Sequence, residues 1–539
     1  MDKGMDNLTA DAVGNEPSGL SEEFKNPNFF GAAFSLFNPR PILSGAIGVA
    51  AGICSVYYSV ERGFLPVALF LIFSLAAAFF ACFFINEKNK KLCAVIFALF
   101  ALFGVIRAEI ELFSFMNCRR SGENVKVVAK VEDVSSKNGY VRLKLSDLKA
   151  GGEKLCGYAY VYAFNDSFYG VLPSRFDEIS FTAALKRSAE YSDDSYKANC
   201  FASGIYYSGN ADGVIKTIGN KRNVFEKCSL YVSKYLQKSV SEENYGIALA
   251  MLLGDSSRLS DEQISAFRLS GLAHVFAVSG LHIGLFSGLF VFLAKLLKIK
   301  GFKKCFFVLA PTLFYVGVCG FFSSAVRAFT MLAVIMLSEL FGFKHDRLSA
   351  LSLAALLITI ISPLAVFSKG WQLSFAAVAG IILLCPVLKR GTAPLKQSAG
   401  DAVSVCLAAQ LGTLPILTDM CGYMSIISTF ANLIVLPVLS LVYQLLAVSC
   451  VFGIVFYAFG ASENVLRIIT FLPNNALSAI SAAITAVNYD KLILPFAFGW
   501  AALPYYSALL TVSDVTNLSV KRKLGAVCAF LIAFVRFLP

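Results

Sequence analysis

The sequence predicts a polytopic α-helical membrane protein that carries a small extracytoplasmic β-barrel of OB-like type. Three observations predict it. Only 15% of the 539 residues are charged, against about 25% in an ordinary soluble domain. Apolar runs that approach or exceed the ~20 residues of a spanning helix recur along the chain. Examples are FLPVALFLIFSLAAAFFACFFI (64–85), LCAVIFALFALFGVI (92–106) and LSALSLAALLITIISPLAVF (348–367). Between residues 119 and 221 that pattern stops, charges return, and apolar stretches shrink to strand length.

Taken in chain order, residues 1–41 are polar at their start and lack the basic n-region and apolar core of a secretory signal, so they read as a disordered cytoplasmic tail. Residues 42–113 hold three spans. Basic clusters EKNKK (87–91), KIKGFKK (298–304), FKHDR (343–347), LKRGTAPLK (388–396) and KRK (521–523) separate the apolar runs. Placing all five in the cytoplasm puts the N-terminus inside and residues 114–247 outside, with 271–297 running back in. That rule also accounts for the net charge of +12 without a nucleic-acid partner. Beyond about residue 420 the spans crowd together and their number stays open.

In the insert, 114–221, five stretches have strand character: 125–134, 139–148, 155–164, 176–185 and 204–209, with turn chemistry at KNG (137–139). Five short strands in about a hundred residues suit an OB-like barrel. In GYAYVYAF, Tyr158, Tyr160, Tyr162 and Phe164 share one face and Gly157, Ala159, Val161 and Ala163 the other. The aromatic face is either the barrel core, the commoner use of such a stripe, or an exposed platform on which single-stranded nucleic acid stacks. Lys126, Lys130, Arg142 and Lys144 alternate along the first two strands, either as phosphate contacts or as a solvated face. Cys156 and Cys200 both fall within the barrel and are the preferred pair for a disulfide, with free thiols the alternative. Residues 222–247 include an amphipathic stretch expected to lie on the outer membrane surface. Residues 248–539 form the multi-spanning part.

That part contains AHVFAVSGLHIGLFSGLF (273–290), with two of the three histidines. Read as one helix, Gly280, Gly284 and Gly288 form a ridge for close helix packing. His282 then points away from the ridge, and His274 lies ~12 Å along the axis, too far for both to hold one metal ion. No metal and no cofactor is expected. Ser279 and His282 have nucleophile–base spacing, but VSG lacks the G-x-S-x-G elbow and no acid orients the ring. Arg327, Gln372, Gln410 and Asn432 interrupt other apolar runs, with Pro363, Pro415 and Pro437 bending them. Polar groups at membrane depth are costly and face a bundle interior or an aqueous path. Each amide taken singly can also be interhelical glue.

These blocks, in this order, resemble the ComEC-type competence proteins, which take up DNA in natural transformation. The resemblance rests on ALAMLLGDSSRLSDEQISAFRLSGLAHVFAVSGLHIGL (248–285), GFFSSAVRAFTM (320–331), ISPLAVFSKGWQLSFAAVAGI (361–381), AAQLGTLPI (408–416) and ANLIVLP (431–437). It implies an inner-membrane channel for one strand of DNA, with an external domain handling DNA at the entrance. It marks His274, Ser279, Gly280, His282, Arg327, Gln372, Ser374, Gln410 and Asn432 as motif positions along the path. Many members continue into a metallo-β-lactamase-like nuclease domain. This chain has three histidines and no H-x-H-x-D-H or Walker motif. No enzymatic activity is therefore expected, and a separate DNA receptor, ATP-driven motor and nuclease are expected as partners beside single-stranded DNA and the bilayer. The alternatives are a transporter of another anionic substrate, a membrane-embedded serine hydrolase built on Ser279 and His282, and a remnant that no longer transports.

Overall fold

The computed structural model describes residues 40–513 and residue 525, apart from 63–64, 85–87, 119–123, 138–139, 165–166, 169–172, 174, 220–222, 343–345, 393–396, 426, 488–492 and 496–497. Nearly all of the expected tail and the 521–523 cluster lie outside these residues. Three helices open the chain: α1 (Pro41–Arg62), α2 (Leu65–Phe84) and α3 (Lys88–Met116). Close backbone approach joins α1 to α3. A Cβ on Gly52 would lie 2.2 Å from the Ala101 carbonyl oxygen, and one on Gly104 would lie 2.4 Å from that of Val49. Glycine is required there because the obstacle is backbone, which cannot rotate aside.

The insert is a closed five-stranded barrel: β1 (Val125–Lys137), β2 (Tyr140–Ala150), β3 (Tyr158–Phe164), β4 (Glu178–Ala183) and β5 (Ile205–Gly219). The strands run β1-β2-β3-β5-β4 and close back onto β1; β3 and β5 are parallel and the other pairs antiparallel. All five expected strands are present. The last is much longer than expected, and helix α4 (Asp194–Ser203) precedes it.

The interior corrects the commoner reading of the aromatic stripe. Ala159 and Val161 are fully buried and Ala163 nearly so, whereas Tyr158 is 40% and Phe164 74% exposed. Val141, Leu143 and Leu145 of the neighbouring strand fill the interior. A barrel of five strands then has room for only small residues opposite them. The tyrosines are on the outside. The disulfide is also corrected: Cys156 is exposed, Cys200 is buried in the barrel core, and both are free thiols.

Helix α5 (Val224–Ser239) is amphipathic as expected, but its apolar side is not laid on lipid. Tyr235 and Leu236 are fully buried in a core shared with later helices. The Tyr235 hydroxyl donates to the Ser449 carbonyl oxygen at 3.1 Å. A second helix, α6 (Glu242–Leu253), begins inside the expected interfacial segment, crosses its boundary at 247, and is largely buried. After α7 (Asp261–Leu269) comes a further correction: 271–297 is not one helix. Gly271 has φ +78°, residues 273–276 form a 3-10 turn, and Ala277–Ser279 are extended before α8 (Gly280–Leu296) begins.

The remainder is helical: α9 (Gly301–Val318), α10 (Ser323–Leu340), α11 (Arg347–Ile361), α12 (Lys369–Gly391), α13 (Gln397–Cys421), α14 (Ser428–Ala458), α15 (Glu463–Ile469), α16 (Phe471–Thr485) and α17 (Ala502–Val512). A 3-10 turn at Pro363–Phe367 separates α11 from α12, and a short strand pair, Tyr423–Ser425 with Ile493–Pro495, follows α13. Among the described residues six helices are long and apolar enough to cross a membrane, namely parts of α1, α3, α9, α12, α13 and α14; α15 and α16 form a pair bent by 67°. The chain is thus a multi-pass helical membrane protein with a small barrel. The glycine ridge of α8 is not a packing seam: among the described residues a Cβ on Gly284 or Gly288 would meet nothing within 4 Å, and one on Gly280 only Ala328 at 3.8 Å. Close approach occurs instead between α12 and α13, where a Cβ on Gly380 would lie 2.5 Å from the Ala408 carbonyl oxygen and one on Gly412 2.5 Å from that of Ala376.

Candidate nucleic-acid interface

The outer face of β2 and β3 carries the candidate interface. Strand alternation puts Tyr140, Arg142 and Lys144 beside Tyr158, Tyr160, Tyr162 and Phe164. In the antiparallel register Arg142 opposes Tyr162 and Lys144 opposes Tyr160. Each cation leans to the diagonal neighbour: the Arg142 guanidinium lies 5.0 Å from the Tyr160 ring centre, and the Lys144 ammonium 4.5 Å from that of Tyr158. Partial burial pulls the Lys144 ammonium below the usual lysine range, while Glu132 and Asp133 oppose that shift. Tyr140 and Tyr162 face each other at 6.2 Å.

The strip continues past Tyr162 into a shallow groove of about 370 Å³ formed with Lys186, Tyr191, Tyr196, Asn210 and Asp212. Lys186 sits 4.6 Å above the Tyr191 ring, Tyr191 and Tyr196 are 4.7 Å apart, and the Tyr191 and Ser208 hydroxyls are hydrogen-bonded at 2.7 Å. The sequence missed this second half. Tyr140 was findable, because it shares the alternation of Arg142 and Lys144. Lys186, Tyr191 and Tyr196 lie where no periodicity links them to the stripe.

On its β1 side, at Arg142, the strip borders a cleft of about 610 Å³ between the barrel and α5–α7. Arg142, Arg175, Phe176, Glu226, Asp255 and Arg258 are on its walls. Arg142 therefore belongs to both strip and cleft. Two of the four expected phosphate contacts separate here. Lys126 is exposed, but Lys130 forms an ion pair with Glu226, itself in the capping box that starts α5. Lys130 holds the barrel to the helices and does not face the strip.

The membrane-depth residues gather at breaks between helices. Ser279 caps α8: its backbone N–H donates to His282 Nδ1 at 3.2 Å, and its hydroxyl lies 3.4 Å from the same atom. With Nδ1 accepting, the neutral ring carries its proton on Nε2. His282 is 2% exposed and stacks on Tyr443 at 4.5 Å; Tyr443 donates to the Tyr315 hydroxyl, and Tyr315 to the Leu252 carbonyl. His274 is on the 3-10 turn, exposed, with Nδ1 3.2 Å from the Gly271 carbonyl oxygen. His274 is thus exposed on the turn, while His282 is buried at the start of α8. A nucleophilic pair is also poorly served, since the base nitrogen already receives a backbone proton.

Arg327 is 2% exposed, and its Nη2 donates to the Gly370 carbonyl oxygen at 2.8 Å, joining α10 to the start of α12. Gln372 donates to Val366 O at 3.2 Å, Gln410 to Ser428 O at 3.4 Å, and Ser324 to Val278 O at 2.6 Å. Val366 and Val278 lie in the segments before α12 and α8, whereas Gly370 and Ser428 are in the first turns of α12 and α14. Each polar side chain thus ties its helix to the start of a helix or to the approach to one. Ser374 is half-buried in α12. Asn432 sits in the first turns of α14 with a buried Oδ1 that has no hydrogen-bond partner among the described residues. Among the described residues no group of three His, Cys, Asp or Glu side chains has a metal-holding arrangement.

Residues 251–514, which contain every one of these breaks, match the family described as Competence protein. The chain is 30% identical over 208 residues to ComE operon protein 3 of Bacillus subtilis, covering 38% of this chain and 26% of that protein. It is 32% identical over 202 residues to competence protein ComA of Neisseria gonorrhoeae, covering 34% and 28%. It is 23% identical over 188 residues to recombination protein 2 of Haemophilus influenzae, covering 33% and 24%. The matched region spans only about a quarter of each of these three relatives. No solved structure matches the chain. The ordered sequence blocks and these matches over residues 251–514 together support a ComEC-type competence protein.

Proposed function

We propose that this protein passes single-stranded DNA across the bacterial inner membrane during natural transformation, with its N-terminus cytoplasmic and its barrel outside. The observation that carries this reading is the tyrosine strip. Exposed tyrosines with cations poised over them lie on strands β2 and β3, the face OB-type barrels use for oligonucleotides. A base stacks on a tyrosine with any sequence, and the displaced Arg or Lys meets the adjacent phosphate. From the strip, Arg142 leads into the cleft beside the competence-type helices. The break residues would then exchange carbonyl partners for those of the strand. Strand separation, energy supply and capture of duplex DNA are assigned to partner proteins: a nuclease, an ATP-driven motor and a receptor.

The test is internalisation of labelled DNA by cells with the wild-type gene, a deletion, or the triple variant Tyr158→Ala/Tyr160→Ala/Tyr162→Ala. Uptake should vanish in the deletion and fall steeply in the triple variant at equal protein level. Unchanged uptake in the deletion would refute the function. Unchanged uptake in the triple variant would refute the role of the strip.

A further inference from the structure

The barrel is plugged into the helical half at one point that the strip does not explain. Arg175 precedes Phe176, whose φ of +70° is held by hydrogen bonds between residues 176–177 and Val131 of β1. The Arg175 guanidinium lies between two rings, 4.5 Å from Phe176 and 4.0 Å from Phe322. Its Nε donates to the Glu132 carbonyl oxygen of the barrel at 3.1 Å, and its Nη1 to the Cys319 carbonyl oxygen at 3.0 Å. Cys319 closes α9, and the turn after it contains Gly320 (φ +86°) and Phe321 (φ +52°). A Cβ on Gly320 would stand 2.5 Å from Arg175 Nη2 and 2.9 Å from the Phe176 ring, so the turn is shaped around this side chain.

The turn is also the start of α10. Phe322 packs on Gly254, where a Cβ would be 2.6 Å from its ring, and Ser324 holds Val278 in the break before α8. Arg327 follows on the same helix. One guanidinium therefore joins a barrel strand to the turn between α9 and α10, inside the region that matches the competence family. Arg175 also shares the cleft wall with Arg142 of the strip.

We propose that Arg175 is a positioning residue for passage: it registers the barrel on the turn that begins the Arg327 helix, so that a strand held on the tyrosine strip enters the cleft in line with the breaks. This rests on the DNA-uptake reading above. Arg175 does not lie on the strip, so strand binding and strand passage separate in its variants. Lysine does not replace it, because it lacks both the planar face between two rings and the fork that reaches two carbonyls.

The experiment uses the full chain in nanodiscs and in cells, with Arg175→Ala, Arg175→Lys and Phe322→Leu. Affinity for a fluorescent oligothymidine should stay within about twofold of wild type. Uptake per molecule at the membrane should fall by about tenfold or more in both Arg175 variants, the scale of a lost hydrogen bond to a charged group. The double variant Arg175→Ala/Phe322→Leu should lose less than the product of the two single losses, since both remove the shared guanidinium–ring contact. Hydrogen exchange across 319–327 should speed up in Arg175→Ala while β2 and β3 stay protected. Normal uptake in Arg175→Ala, full rescue by lysine, additive losses in the double variant, or unchanged exchange across 319–327 would each overturn the proposal. The wild-type and deletion arms report separately on the DNA reading: if they take up DNA equally, that reading fails first, and the positioning role with it.

Discussion

Replacing Tyr160 with alanine isolates the strip from the fold. The ring is half-exposed, and the core beneath it is made by Ala159, Val161 and Ala163, which the substitution leaves in place. Stacking one base on such a ring is worth about 1–3 kcal/mol. Ejecting Arg142 from the ring gives up about 0.5–1 kcal/mol of exposed cation–aromatic attraction. The difference, about 0.5–2 kcal/mol, predicts that Tyr160→Ala weakens oligothymidine binding roughly 2- to 30-fold. Charge gives an independent magnitude. If Arg142, Lys144 and Lys186 each meet one phosphate, the slope of log affinity against log salt is about −2, at about 0.7 per contact. Raising salt from about 50 to 200 mM should then cost about 20-fold in affinity, and Arg142→Gln should flatten the slope by about 0.7. Fluorescence anisotropy of a labelled oligonucleotide on the nanodisc-embedded chain measures both. Binding that ignores salt, or a Tyr160→Ala chain that binds like wild type, refutes the strip as a nucleic-acid interface.

Three further predictions concern the corrected features. Gly52→Ala forces α1 and α3 apart against backbone and should lower stability by about 1–3 kcal/mol, whereas Gly284→Ala and Gly288→Ala, with open space around them, should be neutral or slightly stabilising; fluorescence-detected thermal unfolding in detergent ranks the three. Cys156 should be alkylated quickly in intact cells and Cys118 and Cys200 slowly, because burial pushes both of those thiols up and leaves less thiolate at a given pH; the slow pair should react faster as pH rises, and a mass-mapped Cys156–Cys200 bridge would contradict the structure. His282→Ala removes the Tyr443 stack and the acceptor of the Ser279 N–H, and should cost about 2–4 kcal/mol. Ser279→Ala should cost only about 1 kcal/mol. A hydrolase would lose turnover equally in both variants.

Much of the fold was legible because it follows from local periodicity. Apolar length marks the spans, and alternation marks the strands. What alternation cannot say is which of two faces is the inside. In GYAYVYAF both faces are apolar enough, and the choice is made by Leu143 and Leu145 of the neighbouring strand, paired with Val161 and Ala159, which fill the interior and leave no space there for tyrosine. The glycine series of α8 has the spacing of a packing ridge, yet the ridges that pack are at Gly52 and Gly104 and at Gly380 and Gly412, because helix placement decides which small residues meet a neighbour. Lys130–Glu226 spans 96 positions of the chain and Arg175–Cys319 spans 144, so no window along the sequence contains either. The breaks themselves were marked in advance by serine, glycine and proline inside apolar runs. The polar side chains there were expected to line a path, and in the structure those of Arg327, Gln372, Gln410 and Ser324 each donate to a backbone carbonyl.

These bonds bear directly on passage. Arg327, Gln372, Gln410 and Ser324 each donate to a carbonyl at a break, and each such bond is worth about 1 kcal/mol net, or somewhat more for the charged donor. Four of them hold the breaks shut by a few kcal/mol, not by tens. A ligand shifts such an equilibrium only by its differential affinity for the open form. A strand offering phosphate oxygens to the same donors supplies that difference without leaving any group unsatisfied, because every carbonyl bond lost by Arg327 or Ser324 is replaced by one to the strand. The freed carbonyls need donors in turn, and water entering with the strand provides them. A buried arginine bonded to a backbone carbonyl is therefore compatible with a path through these helices, provided that path exists only while it is occupied.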